Sequence, residues 1–231
     1  MQVKILFITL LSFMTALFMG CKNDTSNKVI DAKAFFYPSS NAPYVYIFQD
    51  SLDPFYEMFE RIITYHDPSG EHRVIQRYNA NFDLVEAYDI LVDKNYKVLT
   101  HTLYSGNREI PAQVHDSVFM PWTGSGIFSS SFPGAVDSIM FTLRNKRHLT
   151  DEQGSFELSE NQYETRIFVD SIYTLAIDLK NKKEKAQSAV AYHEFAKDLG
   201  RVRIRTADGA SILVLVKILS DEDWKRLITK M

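Results

Sequence analysis

From Tyr44 to Leu219, apolar and polar residues alternate with a period of two over most of the chain. Alternation at this period is typical of β-strands that turn one face toward a core and the other toward water. Residues 187–195 fit either a strand or a short helix. The alternation predicts strands at residues 44–48, 57–65, 71–78, 84–92, 96–104, 114–119, 138–144, 161–169, 171–178, 200–205 and 211–219.

Turn residues separate these segments. Residues 66–70 read His-Asp-Pro-Ser-Gly, in which Pro68 presets φ and Gly70 tolerates positive φ. Residues 207–209 read Ala-Asp-Gly, a second hairpin signal. We therefore expect residues 57–65 and 71–78 to form one hairpin, and the last two strands to form another. In the second hairpin, residues 200–205 alternate between arginine and smaller or apolar residues, which predicts that the three arginines lie on one face of the strand.

The period changes near the C-terminus. Ser220 followed by Asp223 fits a capping box, in which each residue hydrogen-bonds to the other at the start of a helix. Trp224, Leu227 and Ile228 then fall on one helical face. The fold class that we predict is mainly β: a curved antiparallel sheet or half-open barrel of about ten strands, with a short C-terminal helix that docks on the sheet.

The first residues have a different pattern. Lys4 is the only charge before residue 22, and an apolar run of about 15 residues follows it, as in a signal peptide. The run ends at Gly20 and Cys21, the only cysteine of the chain. Two alternatives remain open, namely an N-terminal membrane helix that is not cleaved and a soluble secreted product.

The segment Phe18-Met19-Gly20-Cys21 resembles the lipobox of bacterial lipoproteins, and Lys-Asn-Asp after it is similar to the surface-export tag of Bacteroidota-type members. The chain departs from the family pattern at Phe18 and Met19, where the family favours Leu and a small residue. The resemblance implies a signal peptide at 1–20 and a diacylglycerol on the sulfur of Cys21. The polar, proline-bearing composition predicts a flexible tether at 21–42, in which residues 34–37 are an exception that packs as an early edge, and a single β-rich domain follows at 43–231. The resemblance also implies a membrane anchor, with the protein on the outer membrane and facing the periplasm or the cell surface.

Composition excludes several kinds of partner and binding site. The net charge is −3, and we interpret the lysine-rich residues 180–185 as the solvated tip of a loop, so we expect no nucleic-acid partner. A single cysteine excludes an intramolecular disulfide and a thiolate metal site. The six histidines are scattered, and we interpret His66, His72, His115 and His193 as surface residues beside turns or on polar strand faces. We predict no cofactor and no metal site.

No catalytic motif is present. The chain lacks a phosphate-binding Gly-rich loop, and the residues around Ser125 lack the outer glycines of a nucleophile elbow. Ser129, Ser130 and Ser131 leave a serine hydrolase open as a lesser alternative, on the condition that one of them lies within hydrogen-bond reach of a histidine. We therefore predict no catalytic residue and a protein that is not an enzyme.

Residues 120–134 are rich in Pro, Gly, Ser and aromatic residues, and we expect an irregular loop there. Trp122, Phe128 and Phe132 are the candidate contacts with a ligand or a partner. The alternative is that these aromatic side chains plug one end of a barrel. An assembly subunit that docks on an envelope partner through this loop is the rival function.

The stretch from Tyr192 to Val202, followed by a turn and a last strand, resembles the ending of the LolA/LolB-like half-barrel envelope proteins. That resemblance implies a curved sheet over an apolar cavity that holds acyl chains. The function that we predict is a lipid-anchored envelope protein that binds a lipid or another apolar ligand in such a cavity.

Overall fold

The computed structural model describes residues 31–93, 96–106, 108–134 and 138–229. The predicted signal peptide and Cys21 lie outside this part of the chain. Two short helices flank the strands. The elements in chain order are α1 (Ala32–Phe35), β1 (Tyr44–Asp50), β2 (Glu57–Asp67), β3 (Gly70–Tyr78), β4 (Leu84–Leu91), β5 (Lys97–Ser105), β6 (Arg108–Pro111), β7 (Gln113–Ser117), β8 (Ser125–Pro133), β9 (Ile139–Leu158), β10 (Asn161–Asp178), β11 (Lys183–Ala196), β12 (Gly200–Thr206), β13 (Ile212–Ser220) and α2 (Asp221–Thr229).

The strands that the structure describes form one antiparallel sheet of 13 strands, in the order β6-β5-β4-β3-β2-β1-β13-β12-β11-β10-β9-β8-β7. The two ends of the sheet approach each other, because Lys97 on β5 forms a bridge with Val118 just after β7. Next to it, the Phe119 amide donates to the Tyr96 carbonyl at 3.0 Å. The sheet is thus a nearly closed barrel, and the predicted mainly-β fold with a curved antiparallel sheet is confirmed.

The predicted count of about ten strands is too low. The prediction missed the short strand β6 and all of β8. It also made the opposite error at β10, which was predicted as two strands. The irregular loop predicted at residues 120–134 is wrong in its second half, which is β8. Its small residues have a packing reason: a Cβ on Gly126 would lie 2.4 Å from Cγ1 of Val118. Glycine in a strand interior therefore marks a close approach here.

Both predicted hairpins form. In the first, only Pro68 and Ser69 separate β2 from β3, and Asp67 Oδ1 accepts a hydrogen bond from the Ser69 amide at 2.7 Å. Gly70 takes a φ of 141°, as the turn requires. Residues 187–195, for which strand and helix were open, belong to strand β11.

Helix α2 docks on the outer face of the sheet. Trp224 is buried against Val45 and Phe59 in a small cluster outside the barrel. The Ser220 hydroxyl accepts a hydrogen bond from the Asp223 amide at 3.1 Å and donates to the Asp223 carboxylate at 2.7 Å. The reciprocal cap predicted from the sequence is therefore present, with the hydroxyl of Ser220 in place of its backbone N–H as the donor.

Helix α1 and the residues after it lie within the segment predicted as a tether. Phe35, Phe36 and Tyr37 belong to the stretch that was expected to pack; they are buried, and Tyr37 donates to Glu60 Oε2 at 2.6 Å. Among the described residues, no helix has the length and apolar character needed to cross a bilayer.

Candidate functional site

The interior of the barrel has three layers, and strand β10 passes through all of them. Phe168 packs in an aromatic cluster at one end, edge to face with Trp122 at a centroid distance of 5.1 Å. Asp170 and Ile172 line a cavity in the middle. Ala176, further along the same face, lines a second cavity at the other end. We call these layers the plug, the chamber and the mouth.

The plug closes the end of the barrel that contains α1. Phe36 packs against Tyr96 at a centroid distance of 4.6 Å, and Phe168 packs against Phe195 at 5.5 Å. Edge-to-face aromatic pairs of this kind add stability beyond the area that they bury. Trp122 joins the two groups, because its ring contacts Tyr96 at a centroid distance of 6.2 Å as well as Phe168.

The chamber is a cavity of about 180 Å³ with charged walls. An isolated buried charge costs several kcal/mol, so buried charges are normally paired and hydrogen-bonded. The chamber follows this rule. Its ionisable lining residues include Arg77, Glu86, Arg147, Asp170, His193 and Arg201.

One ionic group is centred on Asp170. Arg147 donates from Nε to Oδ1 at 2.6 Å and from Nη2 to Oδ2 at 2.7 Å, and Asn145 donates to Oδ2 at 2.7 Å. His193 Nε2 lies 3.1 Å from the same oxygen. Burial alone would raise the pKa of Asp170, but the Arg147 charge and the hydrogen bonds from Arg147 and His193 hold it far below its ordinary value.

The second group is a chain of ion pairs between β2 and β5. The guanidinium of Arg77 joins Glu60, at 3.2 Å, to Glu86. His101 Nε2 lies 2.9 Å from Glu86 Oε1. Burial opposes ionisation of Glu86, yet the Arg77 charge and the hydrogen bonds from His101 and Tyr88 lower its pKa to about 2.

Arg201 links the two groups. Its guanidinium pairs with Glu60, and its Nη1 lies 3.4 Å from His193 Nδ1. Burial lowers the pKa of His193, and the Arg147 and Arg77 charges add to this effect against the opposing influence of Asp170. His193 is therefore neutral at pH 7, and the three arginines of the network are matched by Glu60, Glu86 and Asp170.

The mouth is a larger cavity of about 370 Å³ with mostly apolar walls. Leu103, Phe132, Phe141 and Leu143 line it, and Lys185 and Gln187 stand on the β11 side. Leu143 also lines the chamber, so the two cavities meet at this residue. Phe141 is 46% exposed, which leaves the apolar wall open to an incoming molecule.

The three aromatic residues predicted as contacts occupy three different places. Trp122 belongs to the plug, Phe128 lines the chamber and Phe132 lines the mouth. Within residues 120–134, the exposed positions that the structure describes are residues 123–125 and Pro133. The rival prediction, docking through this loop, therefore has little exposed surface to use.

The histidine condition set for a serine nucleophile is met. Ser130 Oγ lies 2.9 Å from His101 Nδ1, and the other ring nitrogen faces Glu86. The hydroxyl is fully buried, however, and Ser130 lines neither the chamber nor the mouth. It also lies within strand β8, paired with Val114 and Leu143 on its two sides, whereas a nucleophile elbow is a sharp turn. The two contacts hold the His101 ring between Glu86 on β4 and Ser130 on β8.

The face predicted for the arginines of residues 200–205 is wrong. A bulge in the pairing of β11 with β12 sets Arg201 opposite Phe195 and Arg203 opposite Glu194. Arg201 is therefore inside the barrel and 3% exposed, whereas Arg203 pairs with Glu194 at 2.6 Å on the other face. An extra residue reverses the face of everything beyond it, and alternation alone does not reveal where it lies.

The residues described by the structure include no group of three or more His, Cys, Asp or Glu side chains placed to hold a metal ion. Of the four histidines predicted to be on the surface, His66 and His115 are exposed. The prediction is wrong for His72 and His193, which are buried in ionic groups, as is His101. Charged residues that follow the alternation of apolar neighbours, as Asp170 does between Phe168 and Ile172, are the signal that the sequence offers for the chamber.

No protein-family model and no curated protein matches the chain. Two solved structures are similar to it. A predicted lipoprotein of Parabacteroides distasonis is 12% identical with a TM-score of 0.50, over 80% of this chain and 98% of that one. A predicted exported protein with a YmcC-like fold from Bacteroides fragilis is 11% identical with a TM-score of 0.50, over 80% of this chain and 99% of the other.

At this level of identity, the likeness concerns the fold alone. The fold is that of predicted lipoproteins and exported proteins of the Bacteroidota, which agrees with the expectation of a bacterial envelope protein. The resemblance of the Tyr192–Val202 stretch to LolA/LolB-like half-barrels receives no support from these structures.

Proposed function

We propose that the protein is a lipid-anchored protein of the cell envelope that binds an amphipathic ligand inside its barrel. The apolar part of the ligand lies in the mouth and its polar head lies in the chamber. The observation that carries this proposal is that Leu143 lines both cavities, which places an apolar space directly beside a charged one. This proposal adds a polar head group to the apolar ligand predicted from the sequence.

The two cavities favour one orientation of the ligand. Burial of apolar surface contributes about 25 cal/mol per Å², so a hydrocarbon chain gains free energy against Phe132, Phe141 and Leu143. The same chain in the chamber would lie against charged side chains without satisfying them. The plug closes the far end, so the head group enters first through the mouth.

Attachment to the membrane supports this function. The lipid on Cys21 holds the barrel beside a bilayer, which is the source of amphipathic molecules in an envelope. We place the protein on the outer membrane, facing the periplasm or the cell surface, on the basis of the lipobox-like segment. This arrangement suits a carrier or a sensor of an envelope lipid. Neither role requires catalysis.

Photocrosslinking in the full-length protein tests the proposal. Benzoylphenylalanine at Phe141, on the wall of the mouth, is expected to yield an adduct of discrete mass after irradiation of intact cells. Tyr173 is the matched control, because it is an aromatic residue on adjacent β10, 40% exposed, and outside both cavities. Adducts at both positions, or at neither, would contradict a ligand in the mouth.

The serine hydrolase is the second candidate, favoured by the contact between Ser130 and His101. A fluorophosphonate probe separates it from the binding role, because the probe labels only an activated and accessible serine. We expect no labelling of the full-length protein. Labelling that Ser130→Ala removes would make the protein an enzyme.

A further inference from the structure

We infer that the head group bound in the chamber is uncharged and carries both a hydrogen-bond donor and an acceptor, as an alcohol or a primary amide does. The inference rests on the proposed function, and it specifies the class of ligand. Two observations carry it: the pairing of the chamber's charges and the identity of two unpartnered atoms on residues that line it.

Each arginine of the chamber is already paired with a carboxylate of the protein. Arg147 holds both oxygens of Asp170, and Arg77 bridges two carboxylates. The third arginine, Arg201, pairs with Glu60. A carboxylate or phosphate head would have to displace one of these acids, and it would then lie close to Glu86 or Asp170, which are ionised at pH 7. Like charges at such distances in a buried site are strongly unfavourable.

A cationic head is no better suited. The carboxylates of the chamber accept hydrogen bonds from arginine, asparagine, tyrosine and histidine side chains, as Asp170 and Glu86 both show. A cation would compete with guanidinium groups that make shorter and bidentate contacts. Positive and negative side chains of the chamber's network are equal in number. The chamber therefore favours an uncharged polar head group, whose dipole the surrounding charges orient.

Two residues that line the chamber each carry a buried side-chain atom with no hydrogen-bond partner among the described residues. These atoms are Nε of Arg201, a donor, and Oδ1 of Asn145, an acceptor. Buried polar atoms without partners cost free energy, and native structures contain few of them. A hydroxyl or an amide provides an acceptor for the first atom and a donor for the second.

The other two unpartnered atoms lie elsewhere. Trp122 Nε1 is in the plug, and Arg166 Nε belongs to a residue that lines neither the chamber nor the mouth. The chamber, of about 180 Å³, is thus lined by one residue with an unmet donor and one with an unmet acceptor. This volume suits a head group of a few heavy atoms.

A competition experiment on the full-length protein in phosphatidylcholine nanodiscs tests the inference. The probe is a ten-carbon alcohol with a diazirine in its chain, and the adduct is located by peptide mass spectrometry. Unlabelled decan-1-ol, decanamide, decanoate and decylamine compete at pH 7. We expect the alcohol and the amide to suppress labelling of mouth peptides at concentrations about tenfold lower than the two ions.

A variant identifies the head-group contact. Asn145→Leu removes the unpartnered acceptor, and it is expected to abolish the advantage of the alcohol over the ions. Asn161→Leu, at the exposed first residue of β10, is the control and is expected to keep that advantage. The ranking of the four competitors on the unaltered protein decides the inference even if Asn145→Leu does not fold.

The outcomes are distinguishable. Absence of saturable labelling in the mouth, together with absence of a cellular adduct at Phe141, would overturn the proposed function. Saturable labelling that decanoate or decylamine suppresses as well as the alcohol does would overturn the inference about the head group and leave amphipath binding intact. Preference for the alcohol and the amide, lost in Asn145→Leu, would support both.

Discussion

Arg147 and Asp170 face each other across β9 and β10 in the middle of the barrel, with both oxygens of the carboxylate held by the guanidinium at 2.6 Å and 2.7 Å. Both residues are at most 5% exposed. Two-point contact fixes the position of each side chain relative to the other strand. The pair therefore sets the shape of the chamber as well as its charge.

Removal of Arg147 is expected to destabilise the barrel strongly. Arg147→Met leaves Asp170 buried without its main partner, which costs about 3–5 kcal/mol of unfolding free energy. Urea denaturation followed by circular dichroism measures the loss. The double variant Arg147→Met with Asp170→Leu leaves no unpaired charge, and it is expected to recover much of the stability. A double variant as unstable as the sum of its single variants would show that the two residues act independently.

Acid is expected to weaken the protein through Glu86. The pKa of Glu86 in the folded protein is about 2, below its ordinary value of 4.5, because of Arg77 and the hydrogen bonds to the carboxylate. A depressed pKa stabilises the fold above the ordinary value, and this contribution is lost as the pH falls from about 4.5 toward 2. Glu86→Gln is expected to lower stability at pH 7 and to flatten its decline over this window.

Unfolding free energies at several pH values between 2 and 7 measure this dependence. Glu160→Gln, on the exposed turn between β9 and β10, is the control and is expected to leave the curve unchanged. If Glu86→Gln and the unaltered protein lost stability in parallel, the acid sensitivity would come from other carboxylates.

The strand pattern was readable from the sequence because alternation reports how each strand divides its two faces between core and water. The closing hairpin and α2 were also readable, because turn residues and helix caps are local signals in the sequence. Strand β8 was hidden because its small residues, including Gly126, fit close neighbours that lie elsewhere in the sequence. Local propensity does not contain that information.

The chamber was beyond sequence reasoning for a related reason. Asp170 pairs with Arg147, 23 residues away, and Arg77 pairs with Glu60, 17 residues away, so the network exists only once the register of several strands is set. The face of Arg201 depends on a bulge. The layers of the barrel follow from register and closure, which alternation leaves undetermined.

The lipid anchor is predicted from the sequence, and it is directly testable. Full-length protein grown with radiolabelled palmitate is expected to incorporate the label and to enter the detergent phase in a phase-separation assay. Cys21→Ser is expected to remove the label, because Cys21 is the only cysteine of the chain. Label that persists in Cys21→Ser would contradict lipidation at this residue. Detergent partition without label in the unaltered protein would favour the uncleaved membrane helix.

His72 is expected to make the barrel less stable at alkaline pH. Burial lowers its pKa, but hydrogen bonds to Asp89 at 3.0 Å and Asp67 at 3.1 Å outweigh burial and raise it above the ordinary 6.5. A raised pKa gives stability that is complete below 6.5 and is lost as the pH rises through the value in the folded protein. The change opposes that of Glu86, so the two groups narrow the pH range of greatest stability from both sides.

Thermal unfolding between pH 5.5 and 9 measures the His72 contribution. His72→Gln keeps a polar side chain beside Tyr65, whose ring stacks on the imidazole at 4.4 Å, and it is expected to flatten the alkaline decline. His66→Gln is the control, since His66 is an exposed residue of β2, the strand that pairs with β3. An unchanged alkaline decline in His72→Gln would assign the effect to another group.

Gly126→Ala tests the packing that hides β8 from sequence reasoning. The added methyl group would meet Val118 Cγ1 at 2.4 Å and Pro121 Cβ at 3.2 Å, so the sheet must shift near its closing seam. Overpacking of this kind costs about 1–3 kcal/mol. Val118→Ala removes the closest atom, so the double variant is expected to lose less stability than the sum of the two single variants. Ser125→Ala, at the exposed preceding position, is expected to change the urea midpoint little. Strict additivity of Gly126→Ala and Val118→Ala would show that the two residues are not in contact.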